Sequence, residues 1–248
     1  MTRRRFFATP SAFNFDKQTV TLASEEARHL RDVLRLAKDD EVYVFDGGGR
    51  EFHCVVSRTE RDFAEIDLGK EVEPARPESP INLTLAVALL KGEKFDLVVQ
   101  KATELGVTQV VPVVTRFADI RLRDESDAQK RVVRWQRIAL EAAKQSGRAL
   151  VPVVGKPVLF RYLMADLENA GAIRLMFAER GGESFPKVPQ PGSFTALVGS
   201  EGGWSDDEID EAREAGWRVV TLGGRTLRAE TAAITVSALI QHVYGDLK

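Results

Sequence analysis

Two glycine turns near the carboxyl end carry the residues whose types and spacing are able to do chemistry. The first reads Ala196-Leu197-Val198-Gly199-Ser200-Glu201-Gly202-Gly203-Trp204. The second reads Leu222-Gly223-Gly224-Arg225-Thr226-Leu227-Arg228-Ala229-Glu230-Thr231-Ala232. Glycine lets a main chain approach a ligand with no Cβ in the way. Glu201 flanks one turn, and Arg225, Arg228 and Glu230 flank the other. The pattern suits a backbone-lined crevice for a small ligand. It also suits plain tight turns, and spacing alone leaves both readings open. The sequence offers no Ser-His-Asp arrangement or CxxC nucleophile. His29, His53, His242 and the single Cys54 have no metal-ligand spacing, so no metal is expected.

The elements around these turns follow from periodicity. Phe194 to Val198 is a short apolar run ending at glycine, as a buried strand does. Ser205 with Glu208 forms a capping box, Asp206 and Asp207 sit at the positive end of the helix dipole, and Gly216 supplies the stop. Val219 to Leu222 reads as a strand and Thr231 to Tyr244 as a helix. In open α/β sheets, ligands bind outside the carboxyl ends of the strands, where both turns fall.

Earlier in the chain, residues 1–73 read as a small β-rich domain with one helix. Ser24 is placed as its cap, Leu36 as its end, and Ala27, Leu30, Val33 and Leu34 as its buried stripe. Gly47-Gly48-Gly49 between Glu41–Asp46 and Glu51–Ser57 is a hairpin signal. Pro74, Pro77 and Pro80 mark a linker. Residues 74–248 then alternate strand and helix. Strands are expected at Ile81–Leu90, Gln109–Val114 and Ile173–Ala178, and helices at Glu93–Leu105, Asp124–Gly147 and Phe160–Asn169. That alternation predicts a mostly parallel sheet with crossover helices.

Composition excludes several classes. No apolar run of the 248 residues is long enough to span a bilayer. The basic start lacks a secretory core, and a lone cysteine suits a reducing cytoplasm. A net charge of −2 gives no whole-chain argument for nucleic acid. Locally, Arg116 to Arg148 holds nine basic residues against five acidic ones, and Arg3, Arg4 and Arg5 form a second cluster. Such runs serve either phosphates or a salt-bridged solvent face.

The paired turns resemble the ribosomal RNA small subunit methyltransferase E family. The segment Glu141-Ala142-Ala143-Lys144-Gln145-Ser146-Gly147-Arg148 is similar to it too, as are Arg4-Arg5-Phe6-Phe7 and His29 with Val33-Leu34-Arg35. Ser200 and Gly224 stand where the family usually has proline. The resemblance implies a SPOUT α/β knot, a trefoil-knotted and mostly parallel sheet, behind a small PUA-like β-barrel. Periodicity alone would give an unknotted sheet. It implies S-adenosylmethionine-dependent methylation of uridine N3 in 16S rRNA, free or in the assembled 30S subunit, by a cytoplasmic homodimer. It places the cofactor against Leu197, Gly199, Glu201, Gly202, Gly203, Leu222, Gly223, Gly224, Leu227, Thr231 and Ala232. Arg228, Glu230 and Arg225 are then the catalytic candidates. Arg3, Arg4, Arg5, His29, Arg35, Arg137, Lys144 and Arg148 are the RNA-binding ones. Alternatives are methylation of another RNA base or of ribose, or a non-catalytic ribosome-assembly factor.

Overall fold

The computed structural model describes residues 3–118, 120, 123–165, 171–186 and 192–248. The chain divides into two compact units. One comprises residues 1–78 and 143–151, the other residues 79–142 and 152–248. Arg121, counted in the basic stretch, and Asn169, the expected end of a helix, lie outside the described residues.

The first unit holds β1 (Arg5–Phe7), β2 (Phe13–Asn14), β3 (Thr19–Leu22), α1 (Ser24–Arg28), β4 (Glu41–Phe45), β5 (Glu51–Thr59) and β6 (Ala64–Val72). Its sheet has the order β1-β4-β5-β6-β3-β2, antiparallel except where β1 joins β4. Alternation along the strands puts Val42, Val44, Phe52, Cys54, Val56, Ile66 and Leu68 in one core with Phe6, Leu22 and Leu30. The glycine run turns because the Asp46 carboxylate accepts from the main-chain N–H of Gly48 (2.7 Å) and Arg50 (3.1 Å).

The helix departs from expectation. Ala23, not Ser24, is its N-cap, and α1 passes at His29 into one π turn that ends at Val33. A π turn carries more residues than an α turn and so rotates the following side chains off the apolar stripe. Ala27 and Leu30 are buried as expected, whereas Val33 is 64% exposed and Leu34 is also exposed.

The second unit holds β7 (Asn82–Ala88), α2 (Lys94–Glu104), β8 (Gln109–Val114), α3 (Glu125–Ser146, whose last turn belongs to the first unit), β9 (Val153–Val154), β10 (Val158–Leu159), α4 (Phe160–Ala165), β11 (Ile173–Phe177), β12 (Ser193–Val198), α5 (Asp206–Glu214), β13 (Arg218–Val220) and α6 (Ala229–Tyr244). The sheet order is β10-β8-β7-β12-β11-β13, with β9 also on β8, and every pairing is parallel. The central strands β7 and β12 are almost continuously apolar and buried, as strands covered on both faces must be. Helix α6 packs on β7, β12 and α2, while α4 lies on β8 and β10. The capping box forms as read: Ser205 Oγ accepts from Glu208 N, and the Glu208 carboxylate returns to Ser205 N.

Candidate functional site

β11, β12 and β13 are adjacent and parallel, so their carboxyl ends open onto one crevice. A cavity of about 510 Å³ lies there. Its walls are the turn from Gly199 to Trp204 and the turn from Thr221 to Ala229. Phe177, Ala178 and Glu179 extend from β11, and Ala232 and Val236 come from α6. The volume is within the roughly 300–1,000 Å³ of small-molecule sites.

The first turn is held on several sides. Gly203 N donates to Ser200 O (3.0 Å), and Ser200 Oγ donates to Phe117 O (3.0 Å). The indole of Trp204, 2% exposed, donates from Nε1 to Phe177 O (2.8 Å) and packs on Phe160 at 5.6 Å. Neighbouring atoms crowd three glycines of this turn, Gly202 most firmly. A Cβ on Gly199 would meet the Trp204 ring at 3.0 Å, one on Gly202 would meet Phe117 Cβ at 2.7 Å, and one on Gly203 would meet Glu179 Oε1 at 2.9 Å. Gly223 is different. A Cβ there meets nothing within 4 Å, and its φ lies outside the left-handed region. Among the described residues, neither packing nor backbone conformation demands glycine at 223, an exposed position on the cavity wall.

Of the expected cofactor-binding residues, Gly199, Glu201, Gly202, Gly203, Leu222, Gly223, Gly224, Leu227 and Ala232 line the cavity, as do Arg225 and Arg228. Leu197 does not: strand alternation turns it into the core, and Val198 faces the cavity instead. Thr231 is exposed and off the lining, one helical step round from Ala232. Phe177, Glu179, Thr221, Thr226 and Val236 line the cavity without having been singled out. The signal for Glu179 was its place just past the β11 apolar run.

Charge is concentrated at the rim. Arg225 and Arg228 are exposed and have no side-chain partner among the described residues. Lys94 Nζ donates to Glu201 Oε1 at 2.6 Å and lies 3.8 Å from Glu230 Oε2. The hydrogen bond to Glu201, then the charges of Glu201 and Glu230, raise the Lys94 pKa above its ordinary value. Glu230 lies beside the cavity rather than in its lining. On the other side, Arg180 binds Trp204 O and Asp206 and pairs with Glu179.

The RNA-binding candidates separate into two groups. Arg5 is 8% exposed at its side chain and is spent on Glu51 (2.9 Å), on Arg148 O (3.0 Å) and on the face of Phe45. Arg148 is 5% exposed and clasps Glu78 at 2.6 Å. Both hold residues 143–151 within the first unit, and neither can reach a phosphate without breaking a buried pair, so we read them as framework residues. Arg3 also binds Glu51, and Lys144 binds Glu26. Arg4, His29, Arg35 and Arg137 are exposed. The basic excess of the Arg116–Arg148 stretch is offset by acids outside it, in the pairs Arg116–Asp207, Arg134–Asp96, Lys144–Glu26 and Arg148–Glu78.

A parallel α/β sheet with a cavity at its strand ends, joined to a smaller β unit, matches known models in both parts. Residues 77–241 match the RNA methyltransferase domain and residues 22–69 the RNA methyltransferase PUA domain. The chain is thus an RNA methyltransferase by class. Ribosomal RNA small subunit methyltransferase E from Synechocystis is 34% identical over 90% of this chain and 72% of the relative. The protein of that name from Mesomycoplasma hyopneumoniae is 31% identical over 93% and 95%. A crystal structure of ribosomal RNA small subunit methyltransferase E from Neisseria gonorrhoeae bound to S-adenosyl methionine superposes with a TM-score of 0.87 at 33% identity, covering 100% of both chains. A putative methyltransferase from Legionella pneumophila, in complex with the same cofactor, gives 0.88 at 29% identity, again over 100% of each. This chain belongs to the ribosomal RNA small subunit methyltransferase E family.

Proposed function

We propose that this protein binds S-adenosylmethionine between its two glycine turns and methylates N3 of a uridine in small-subunit ribosomal RNA. The observation that carries the reading is the open space at Gly223, in a cavity walled by backbone and by Leu222 and Leu227. A flat adenine suits the apolar leucines, and turn main chain suits its edge. When bound, the cofactor supplies an electrophilic methyl, so orientation and exclusion of water carry most of the catalysis.

The chain's own residues do the rest. Uridine N3 carries a proton at neutral pH, and its loss builds negative charge on the uracil oxygens. Arg228 and Arg225, at the rim and without a side-chain partner among the described residues, hold such an oxygen or a neighbouring phosphate. Glu230, in the first turn of α6 and 3.8 Å from Lys94 Nζ, completes the charged group beside the cavity and orients it. Exposed Arg4, His29 and Arg35 of the first unit, and Arg137 of the second, contact the RNA backbone. Residues 1–73 act as a PUA-like RNA-binding barrel and residues 74–248 as the SPOUT methyltransferase domain. The second turn threads as a trefoil knot in this reading, on a path that joins the edge of the sheet to its centre. The chain leaves the edge strand β13, where Thr221 N bonds Glu183 O, and returns to pack α6 on the central strands β7 and β12. A cytoplasmic homodimer completes the proposal.

The test is incubation with labelled S-adenosylmethionine and bacterial small subunits or their naked rRNA, followed by nucleoside analysis. Labelled 3-methyluridine is expected. Label in another base or in ribose, or none at all, would refute it.

A further inference from the structure

We propose that Glu179 is a further cofactor-binding residue: its carboxylate, standing between the two glycine turns, accepts hydrogen bonds from the ribose hydroxyls of S-adenosylmethionine. The inference rests on the methyl-transfer reading and assigns a subsite within its cavity.

Strand order puts Glu179 in the middle. β11 lies between β12 and β13, so the residues just past its end emerge between the turn that follows β12 and the turn that follows β13. Glu179 lines the cavity, and its side chain is 38% exposed, so a ligand there can reach it. The carboxylate lies along the first turn: a Cβ on Gly203 would stand 2.9 Å from Oε1 and 3.2 Å from Oε2. Arg180 holds it in place. That guanidinium donates to Trp204 O at 2.9 Å and to Asp206 Oδ1 at 2.8 Å, which anchors it to the end of the turn and the start of α5. It also donates to Glu179 Oε1. Glu179 Oε2 carries no hydrogen bond among the described residues.

The chemistry selects the sugar. Arg225 and Arg228 are donors only and cannot accept from a hydroxyl. Ser200 Oγ donates to Phe117 O, Glu201 holds Lys94, and Thr221 Oγ1 accepts from Gly182 N. An ionised carboxylate accepts at about four lone-pair sites and so suits two adjacent hydroxyls. A nucleoside carries such a pair on the ribose that joins its base to the rest of the molecule. With adenine against Leu222 and Leu227 of the second turn, the ribose falls toward the middle of the crevice, where β11 ends. The cofactor's ammonium is the competing partner. A carboxylate already paired with a guanidinium gains less from a second cation, and its free lone pairs still accept from hydroxyls.

The experiment is titration calorimetry on the full chain, comparing wild type, Glu179→Ala and Glu179→Gln. Thermal unfolding shows that each variant is folded, and Glu179→Gln, which keeps the shape of the side chain and one acceptor oxygen, covers the case in which the alanine variant is not. The probes are S-adenosylmethionine, 5′-methylthioadenosine, which keeps the ribose but has no ammonium, and the 2′,3′-dideoxy analogue of S-adenosylhomocysteine, which keeps the ammonium but has no hydroxyls. Glu179→Ala is expected to weaken S-adenosylmethionine and 5′-methylthioadenosine alike by about 10- to 100-fold, as removal of a charged hydrogen-bond acceptor does. Glu179→Gln falls between it and wild type, and the dideoxy analogue binds all three proteins nearly equally. A loss confined to the probes that carry an ammonium overturns the ribose assignment. Unchanged affinity for every probe overturns it too, and leaves Glu179 as a partner of Arg180 alone. Wild type that binds no S-adenosylmethionine overturns the functional reading as well, so the two failures are told apart within one series.

Discussion

Gly223→Val is the sharpest test of where the ligand lies. The substitution adds an isopropyl group at a position whose Cβ has no heavy atom within 4 Å and whose φ is not left-handed. The folded protein without ligand therefore has little to object to. A surface change of this kind stays within about 0.5 kcal/mol, which is about 2 °C or less in Tm for a chain of this size. Cofactor binding is another matter. If ligand atoms fill that space, the added methyls overpack it at about 1–3 kcal/mol, or roughly 5- to 150-fold in Kd. Titration calorimetry measures the affinity and differential scanning calorimetry the fold. Gly202→Ala makes the contrast. Its Cβ would stand 2.7 Å from Phe117 Cβ and 3.2 Å from Phe117 O. Stability should fall there by about 1–3 kcal/mol. A folded Gly223→Val protein that binds S-adenosylmethionine as the wild type does would refute the assignment of the cavity.

Three further outcomes are expected. Arg228→Ala should leave Tm and cofactor affinity nearly unchanged, since its side chain has no partner among the described residues, while turnover on rRNA falls about 10²-fold or more; wild-type turnover would remove Arg228 from the site. RNA affinity should fall with rising salt, and Arg35→Ala should reduce the slope of log Kd against log salt by about 1. A salt-independent binding curve would count against phosphate contacts in the first unit. Glu51→Gln should destabilise the protein by about 3–5 kcal/mol in urea unfolding, because the Glu51 side chain is fully buried and holds Arg3, Arg5 and the Ala75 N–H. An unchanged midpoint would show that this network contributes nothing to the first unit.

Local signals were legible where local physics sets the outcome. The capping box at Ser205 and Glu208, the stop at Gly216 with φ +81°, and the strand Gln109–Val114 depend on neighbours a few residues away. Two parts of the first unit were less legible. The π turn after Arg28 displaced Val33 and Leu34 from the expected buried stripe, because one extra residue per turn changes the facing of all that follow. The basic cluster could not be sorted by composition either. Arg4 and Arg5 are neighbours in sequence, yet Arg4 is exposed while the Arg5 side chain, 8% exposed, lies against Glu51, a partner 46 residues away.

By itself, the sequence determined that two glycine-rich turns follow strands and precede helices, and that arginines and glutamates flank them. These are properties of spacing and residue type. Only the tertiary structure decided that β11, β12 and β13 lie side by side and parallel, which brings Glu179, Gly199–Trp204 and Leu222–Arg228 around one cavity. It also decided why each glycine is a glycine. Gly202 answers to Phe117, 85 positions earlier, while a Cβ at Gly223 meets nothing within 4 Å among the described residues. Lys94, at the start of α2, joins Glu201 of the first glycine turn across 107 positions, and no pattern along the chain encodes a distance of that kind.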